Sequence, residues 1–492
     1  MTQLTRRGFL AASAAGAASS LLPAAARAAV AGPAALRATT RVIEVNGKAA
    51  TVMGLVNAQG GLGLTLDPAS RFQTELTNTL AIETIVHWHG QIPPNAQDGV
   101  PNTNPMLKPG EARAYDYTAR PGTFWMHSHI PEQEIGLLAA PLIVRSDEDL
   151  RADRQEVVIF LHDFAFRTPE EVLAEVTGGM AMDHSAMDHS VPAAGGMMEE
   201  MPGMMKGNVP GMMMGGMGGM AMDLNDFNFD AYLANDRTLE DPEVVVIEKG
   251  GRVRLRIING ASMTAFWIDL GAQVGRLVAV DGEPVLPLEG RRFPAAPAQR
   301  LDIEVDLPSD SAALPVLALR EGARERTGII LAPQGADVPR LPSLSDADHP
   351  PVSGDMTLEL ALRAATPLPE RPLDNGQMVM LTGAMQPYLW TINGRTWEDR
   401  MPVAARSGER VELTFHNMSM MAHPMHLHGH VFQIVGINGT RFSGAKRDTV
   451  LVPPMASVAI AFDAGEAAPW MLHCHQMGHL AAGMMTELAI TA

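Results

Sequence analysis

Ten histidines and the chain's only cysteine fall into four short motifs, and these constrain the 492 residues more than any other feature. The densest is His473-Cys474-His475-Gln476-Met477-Gly478-His479, with Met484 shortly beyond it. Alternate residues of a strand face opposite sides, so His473 and His475 point one way and Cys474 the other. A thiolate aimed at one metal, flanked by imidazoles aimed at another, is a short through-bond route between two sites. His479 and Met484 follow Cys474 closely enough to complete a two-His, one-Cys set with a weak axial Met, the ligand set of a blue copper site. The remaining imidazole comes from His423-Pro424-Met425-His426-Leu427-His428-Gly429, where His423 can join Cys474.

His426 and His428 share a face at i, i+2 spacing, and the same spacing recurs in His87-Trp88-His89-Gly90 and His127-Ser128-His129. A single such pair is usually two ordinary histidines. Four pairs beside the Cys474 motif give eight imidazoles aimed at one place, the number that three coppers with two, three and three imidazoles require. Structural zinc takes four ligands and would leave half of these unexplained. Six histidines stay outside the scheme. His430 continues the i+2 series but exceeds the count and is assigned a structural role near the site; His162, His349 and His416 are read as core or surface residues; His184 and His189 belong to a Met-rich segment.

That segment, 180–222, holds fourteen methionines with Gly, Pro and the near-repeat Met182-Asp183-His184-Ser185, Met187-Asp188-His189-Ser190. It has no period that could bury a face and reads as a disordered insert. It is either a tolerated low-complexity insertion or a collector of Cu(I), since thioethers prefer that soft ion. Elsewhere the pattern is short strands between Gly/Pro turns, including Arg252 to Asn259, Arg300 to Asp306, Met356 to Leu362 and Ser457 to Phe462. Such spacing argues for an all-β protein. We read three β-sandwich units at 38–148, 149–335 and 350–492.

Residues 1–28 read as an export signal rather than part of the fold. Thr5-Arg6-Arg7-Gly8-Phe9-Leu10 leads into an apolar run and then Ala26-Arg27-Ala28, the twin-arginine order with an A-x-A-like cleavage site. The run is too short and too rich in Ala and Ser to span a bilayer as an anchor. One cysteine in an oxidising compartment cannot form an internal disulfide, which leaves Cys474 as a reactive thiol or a metal ligand. The net charge of −18 falls to about −21 without Arg6, Arg7 and Arg27. It argues against nucleic acid and anionic membranes as partners and mildly favours cationic ones.

These four motifs resemble those of the multicopper oxidases, the group of laccases, ascorbate oxidases and bacterial copper-efflux oxidases. The resemblance extends to Gly122-Thr123-Phe124-Trp125, Gly136-Leu137, Arg254-Leu255-Arg256-Ile257-Ile258-Asn259-Gly260 and Val280-Asp281-Gly282. It implies three cupredoxin-like Greek-key domains and four copper ions. By motif, the type 2 copper would take His87 and His426. One type 3 copper would take His89, His127 and His475, and the other His129, His428 and His473. The type 1 copper would take His423, Cys474, His479 and, axially, Met484. A Met there rather than Leu goes with a lower potential.

The activity implied is one-electron oxidation of a reductant at the type 1 copper, with dioxygen reduced to water at the other three. Asp98, before Gly99, matches the family's proton-relay carboxylate, although a turn aspartate would look the same. A second relay carboxylate often neighbours the last histidine, but here Gly478 and Leu480 flank His479. Asp448 resembles a carboxylate that orients a type 1 histidine; plain surface solvation is the competing reading. The expected reductant is Cu(I), in a periplasmic role in copper tolerance. The alternatives are a small phenol or aromatic amine, as in laccases, and a non-enzymatic copper store. In copper-efflux members the Met-rich insert lies over the type 1 site in the third domain; here it falls near the start of the second.

Overall fold

The computed structural model describes residues 33–178, 224–310 and 312–492, so the export signal and the Met-rich segment lie outside the described residues. Strand dominates, in six sheets that fall in pairs along the chain. The first pair is built from Ala34–Val45, Lys48–Asn57, Arg71–Asn78 and Ala112–Thr118 on one side and Leu64–Leu66, Val86–His87, Gly122–Ser128 and Ala139–Val144 on the other. Arg71–Asn78 shows the cause in miniature: its even positions, Phe72, Thr74, Leu76 and Asn78, are buried and its odd ones are not. Phe72, Leu76, Trp88, Tyr115, Phe124 and Leu142 close the core between the two sheets. Each fully buried side chain of this kind contributes about 1.5–3 kcal/mol.

The middle pair has six and five strands, and the last has seven and five. Neighbours in these sheets are rarely consecutive in sequence. Gln155–Phe164 lies between Ala231–Ala234 and Arg252–Asn259, and Arg410–Asn417 between Asn375–Met385 and Ser457–Asp463. These are the crossovers of Greek-key sandwiches. The middle sandwich also carries buried charge: Arg256 is wholly covered and pairs with Asp149, Glu156 and Asp302.

One expected strand is not a strand. Thr357–Ala361 forms a single helical turn. The Asp355 carboxylate accepts the Thr357 N–H and the Leu362 N–H bonds back to the Leu358 carbonyl. The alternating Met-x-Leu-x-Leu-x-Leu pattern also places Leu358 and Leu362 at i, i+4, and Leu362 is fully buried. The turn aims Glu359 at Arg447, 2.8 Å away.

Two short ladders position the metal-binding motifs. Val86–His87 pairs antiparallel with Gly122–Ser128, setting His87 opposite His127. His423–Leu427 pairs antiparallel with Pro469–Cys474, setting His426 opposite His473. In every H-x-H pair the first histidine lies at or near the end of a strand and the second just beyond it. The two ladders come from the first and last sandwiches.

Candidate metal centre

Eight rings from the two ladders converge in one buried chamber, none of them more than 4% exposed. His89, His127 and His475 form one triangle, with ring centroids 5.0 to 5.5 Å apart. His129, His428 and His473 form another, at 5.0 to 5.3 Å. His87 and His426 are a pair at 5.7 Å. Across the strand from His473, Cys474 Sγ lies 3.5 Å from His479 Nδ1 and 3.7 Å from His423 Nδ1. Met484 is fully buried, and its carbonyl accepts the Cys474 N–H.

The directions of the ring nitrogens test whether these residues suit a metal. His473 Nδ1 donates to the Cys474 carbonyl and His428 Nδ1 to the Asp98 carboxylate. A neutral imidazole has one N–H, so both rings turn bare lone pairs inward, where their Nε2 atoms stand 3.0 Å apart. His423 Nδ1 faces His479 Nδ1 at 3.1 Å. His87 and His426 each bind a backbone carbonyl through Nδ1 and leave a buried Nε2 with no partner. Lone pairs facing one another in a buried chamber are costly unless something between them accepts them, and a metal ion does so. The residues fit.

Burial, reinforced by neighbouring rings, pushes most of these imidazoles well below their usual pKa, and burial pushes His473 to about 3. They are therefore neutral and free to ligate. Burial pushes the Cys474 thiol up, so a thiolate there needs a cation beside it.

Asp98 occupies the end of a short turn, and Gly99 after it has φ +78° with no room for a side chain against the Val86 carbonyl. Asp98 is fully buried: its carbonyl accepts from His87 and Oδ2 from His428, while Oδ1, 3.3 Å from His87 Nδ1, makes no hydrogen bond.

Asp448 does not orient a type 1 histidine, and it is not on the surface. Thr449–Val452 pairs with His423–Leu427 in a register that sets His426 opposite Thr449 and His423 opposite Val452. That register delivers Asp448 to the eight-ring chamber. Its carbonyl accepts from His426 Nδ1, and its Oδ1 lies 3.1 Å from His89 Nε2. The type 1 candidates have other partners. Ser419 Oγ lies 2.8 Å from His423 Nε2, and Asp226 lies 3.4 Å from His479 Nε2.

Several of these partners carry no motif. Asp226 follows directly on the Met-rich segment; burial opposes its charge, but His479, Gln476 and Tyr388 hold its carboxyl below the usual value. Glu134, on the short helix Pro131–Ile135, puts its carboxyl 2.6 Å from His127 Nδ1 and 3.7 Å from His475 Nδ1. It brings an acid to the chamber although none flanks His479. A helix-opening proline just after an H-x-H pair was the available signal. His430 lies outside the chamber, bonding the His428 carbonyl and accepting the Gly465 N–H. His162 and His349 bond the Gly260 and Arg320 carbonyls.

The multicopper oxidase family pattern matches residues 37–149 and again residues 370–492. The chain is 31% identical to the multicopper oxidase MmcO of Mycobacterium tuberculosis, over 84% of this chain and 78% of that protein. It is 25% identical to the copper resistance protein A of Escherichia coli, over 85% of each. Among solved structures it superposes on Fet3p, a multicopper oxidase that functions in iron import, with a TM-score of 0.72 at 17% identity, covering 93% of this chain and 90% of that one. A laccase from Botrytis aclada gives 0.71 at 21% identity, covering 92% and 87%. At those identities the structural likeness speaks for the fold.

Proposed function

The chain belongs to the multicopper oxidases, and from that premise we propose that it oxidises Cu(I) at a copper held by His423, Cys474, His479 and Met484. Copper is its cofactor: bound to these residues, one copper would supply single-electron oxidation, and three together would supply the four-electron reduction of dioxygen to water. We assign the cluster to His87 and His426, to the triangle of His89, His127 and His475, and to that of His129, His428 and His473. The observation that carries this reading is the meeting of inward-facing ring nitrogens, 3.0 Å apart for His428 and His473 and 3.1 Å apart for His423 and His479.

The residues divide the labour by position. Cys474 joins the two sites through its own backbone, since His473 and His475 on either side belong to the two triangles. The buried chamber excludes bulk water and keeps most of its imidazoles neutral. Asp98 has an oxygen free inside it and is the proton relay of this reading.

Cu(I) is favoured over phenols by where thioethers lie. Among the described residues, all five methionines that are exposed lie between 378 and 455, in the sandwich that carries Cys474. Met418 and Met420 flank Ser419, whose hydroxyl bonds His423. The Met-rich segment 180–222 would collect further Cu(I). One observation favours a laccase-like role: Asp226 stands at His479 as an acceptor for a phenol proton. We also read residues 1–28 as directing twin-arginine export to the periplasm; no helix among the described residues is long and apolar enough to cross a membrane.

Oxygen uptake by the copper-loaded protein decides between substrates. Cu(I) should drive it, more weakly once residues 180–222 are removed. Uptake with a phenol and none with Cu(I) would replace this reading by the laccase one.

A further inference from the structure

The middle sandwich supplies no ring to the chamber, yet one of its side chains reaches the chamber's wall. Arg300 opens the strand Arg300–Asp306 and is fully buried. Its guanidinium grips Asp448 with both terminal nitrogens, Nη1 at 2.8 Å from Oδ1 and Nη2 on Oδ2. It also donates to the Ala298 and Thr123 carbonyls, so its fork is fixed from three sides. Behind it, Asp281 accepts the Arg300 backbone N–H through Oδ1 and faces Arg447 through Oδ2, 3.3 Å away. One buried chain of charge thus runs from the middle sandwich into the last and ends on His89 of the first.

His89 is the exception among the seven rings of the chamber that have a hydrogen-bond contact. His87, His127, His426, His428 and His473 each use Nδ1 on a partner outside the cluster, leaving Nε2 to face inward. His129 likewise turns Nε2 to His473. His89 is reversed: Nε2 is held by Asp448 at 3.1 Å and Thr449 at 3.2 Å, and Nδ1 faces His127 Nε2 at 3.4 Å. A carboxylate accepting both arms of an arginine and a threonine hydroxyl stays an acceptor. The proton of His89 is therefore on Nε2, and its lone pair is on Nδ1.

The glycine after His89 has the same origin. Gly90 has φ +82°, and a Cβ there would come within 2.6 Å of Arg300 Nη2 and 2.7 Å of Asp448 Oδ2. The Arg300–Asp448 pair, with the Phe124 ring, fills the space that any side chain at position 90 would need.

We propose that Arg300 is a positioning residue of the oxygen-reducing centre, holding Asp448 so that His89 ligates through Nδ1. Copper retention in the cluster then depends on docking of the middle sandwich, which binds no copper of its own. This rests on the ligand assignment made above.

The test uses the full-length copper-loaded protein with Arg300→Gln, Arg300→Lys, Gly90→Ala and, as reference, His89→Ala. Copper per chain, the blue absorption, the type 2 electron paramagnetic resonance signal and thermal unfolding are read on each. Arg300→Gln should keep the blue absorption, shift the type 2 signal, and hold cluster copper about 10–100-fold more weakly. Arg300→Lys keeps the charge but not the fork and should fall between Gln and the parent. Gly90→Ala displaces the pair without changing charge and should weaken the cluster in the same way. A full copper complement and an unchanged type 2 signal in Arg300→Gln, with cluster copper lost in His89→Ala, would overturn the proposal alone. Retention of cluster copper by His89→Ala would instead sink the ligand assignment. Loss of the blue site together with the cluster would make Arg300 a general fold residue. Should Arg300→Gln not fold, Arg300→Lys and Gly90→Ala decide by the same readings.

Discussion

Asp98 and Asp448 are bonded crosswise: each gives its backbone carbonyl to a histidine of its own sandwich and its carboxylate to a histidine of the other. Asp98 takes His87 by the carbonyl and His428 by the carboxylate; Asp448 takes His426 and His89. The symmetry ends at the outer oxygens. Asp448 is saturated by Arg300 and Thr449, whereas Asp98 Oδ1 makes no hydrogen bond.

That difference separates the roles of the two acids. Asp98→Asn removes a carboxylate with an oxygen that makes no hydrogen bond, at little cost to its hydrogen-bond geometry. Its blue absorption and its reduction by substrate should be unchanged. Reoxidation of the fully reduced protein by dioxygen, followed by stopped flow, should slow about 10²–10⁴-fold. Asp448→Asn should show the opposite pattern, losing cluster copper before it loses rate per loaded molecule.

Cys474→Ser tests the division between the two sites. Serine lacks the soft thiolate, so the blue absorption and steady turnover should both vanish. The eight-ring chamber does not use the sulfur, and its type 2 resonance signal should persist. A variant that stayed blue would overturn the assignment of Cys474.

Where sequence sufficed and where it did not follows from how far apart the partners lie. The rings of each H-x-H pair are neighbours in the chain, so strand alternation already aims them together. The alternation of Arg71–Asn78 likewise shows its buried face directly. Asp448 was misplaced because its neighbour is set by the register of Thr449–Val452 on His423–Leu427, which local pattern does not encode. Arg300 is 148 positions from Asp448, and nothing near either residue names the other. Asp226 reaches Gln476 across 250 positions. The Thr357–Ala361 turn was lost because alternate leucines satisfy a strand and an i, i+4 helical contact equally well.

Met484→Leu addresses the type 1 potential. A thioether beside the Cys474 site can bind weakly along the axis, whereas leucine fills the same buried volume without a donor. Removing that donor favours the reduced ion, and the potential should rise in redox titration with little change in melting temperature. A lower or unchanged potential would show that Met484 is not the axial group.

Glu321 makes stability depend on pH away from any copper. Burial drives its carboxyl up from 4.5 to about 7, despite the Val352 N–H that Oε2 accepts at 2.8 Å and the nearby Arg320. With the folded value raised, its contribution is fully present below about pH 4.5, where the acid is protonated in both states. It is lost as pH rises through 7, because the folded chain must then bury the charge. The span corresponds to about 3 kcal/mol, taking one unit as about 1.4 kcal/mol. Glu321→Gln keeps an acceptor for Val352 and cannot ionise. Its melting temperature should match the parent's at pH 4.5 and exceed it increasingly toward pH 8. Parallel curves across that range would mean that Glu321 does not carry the dependence.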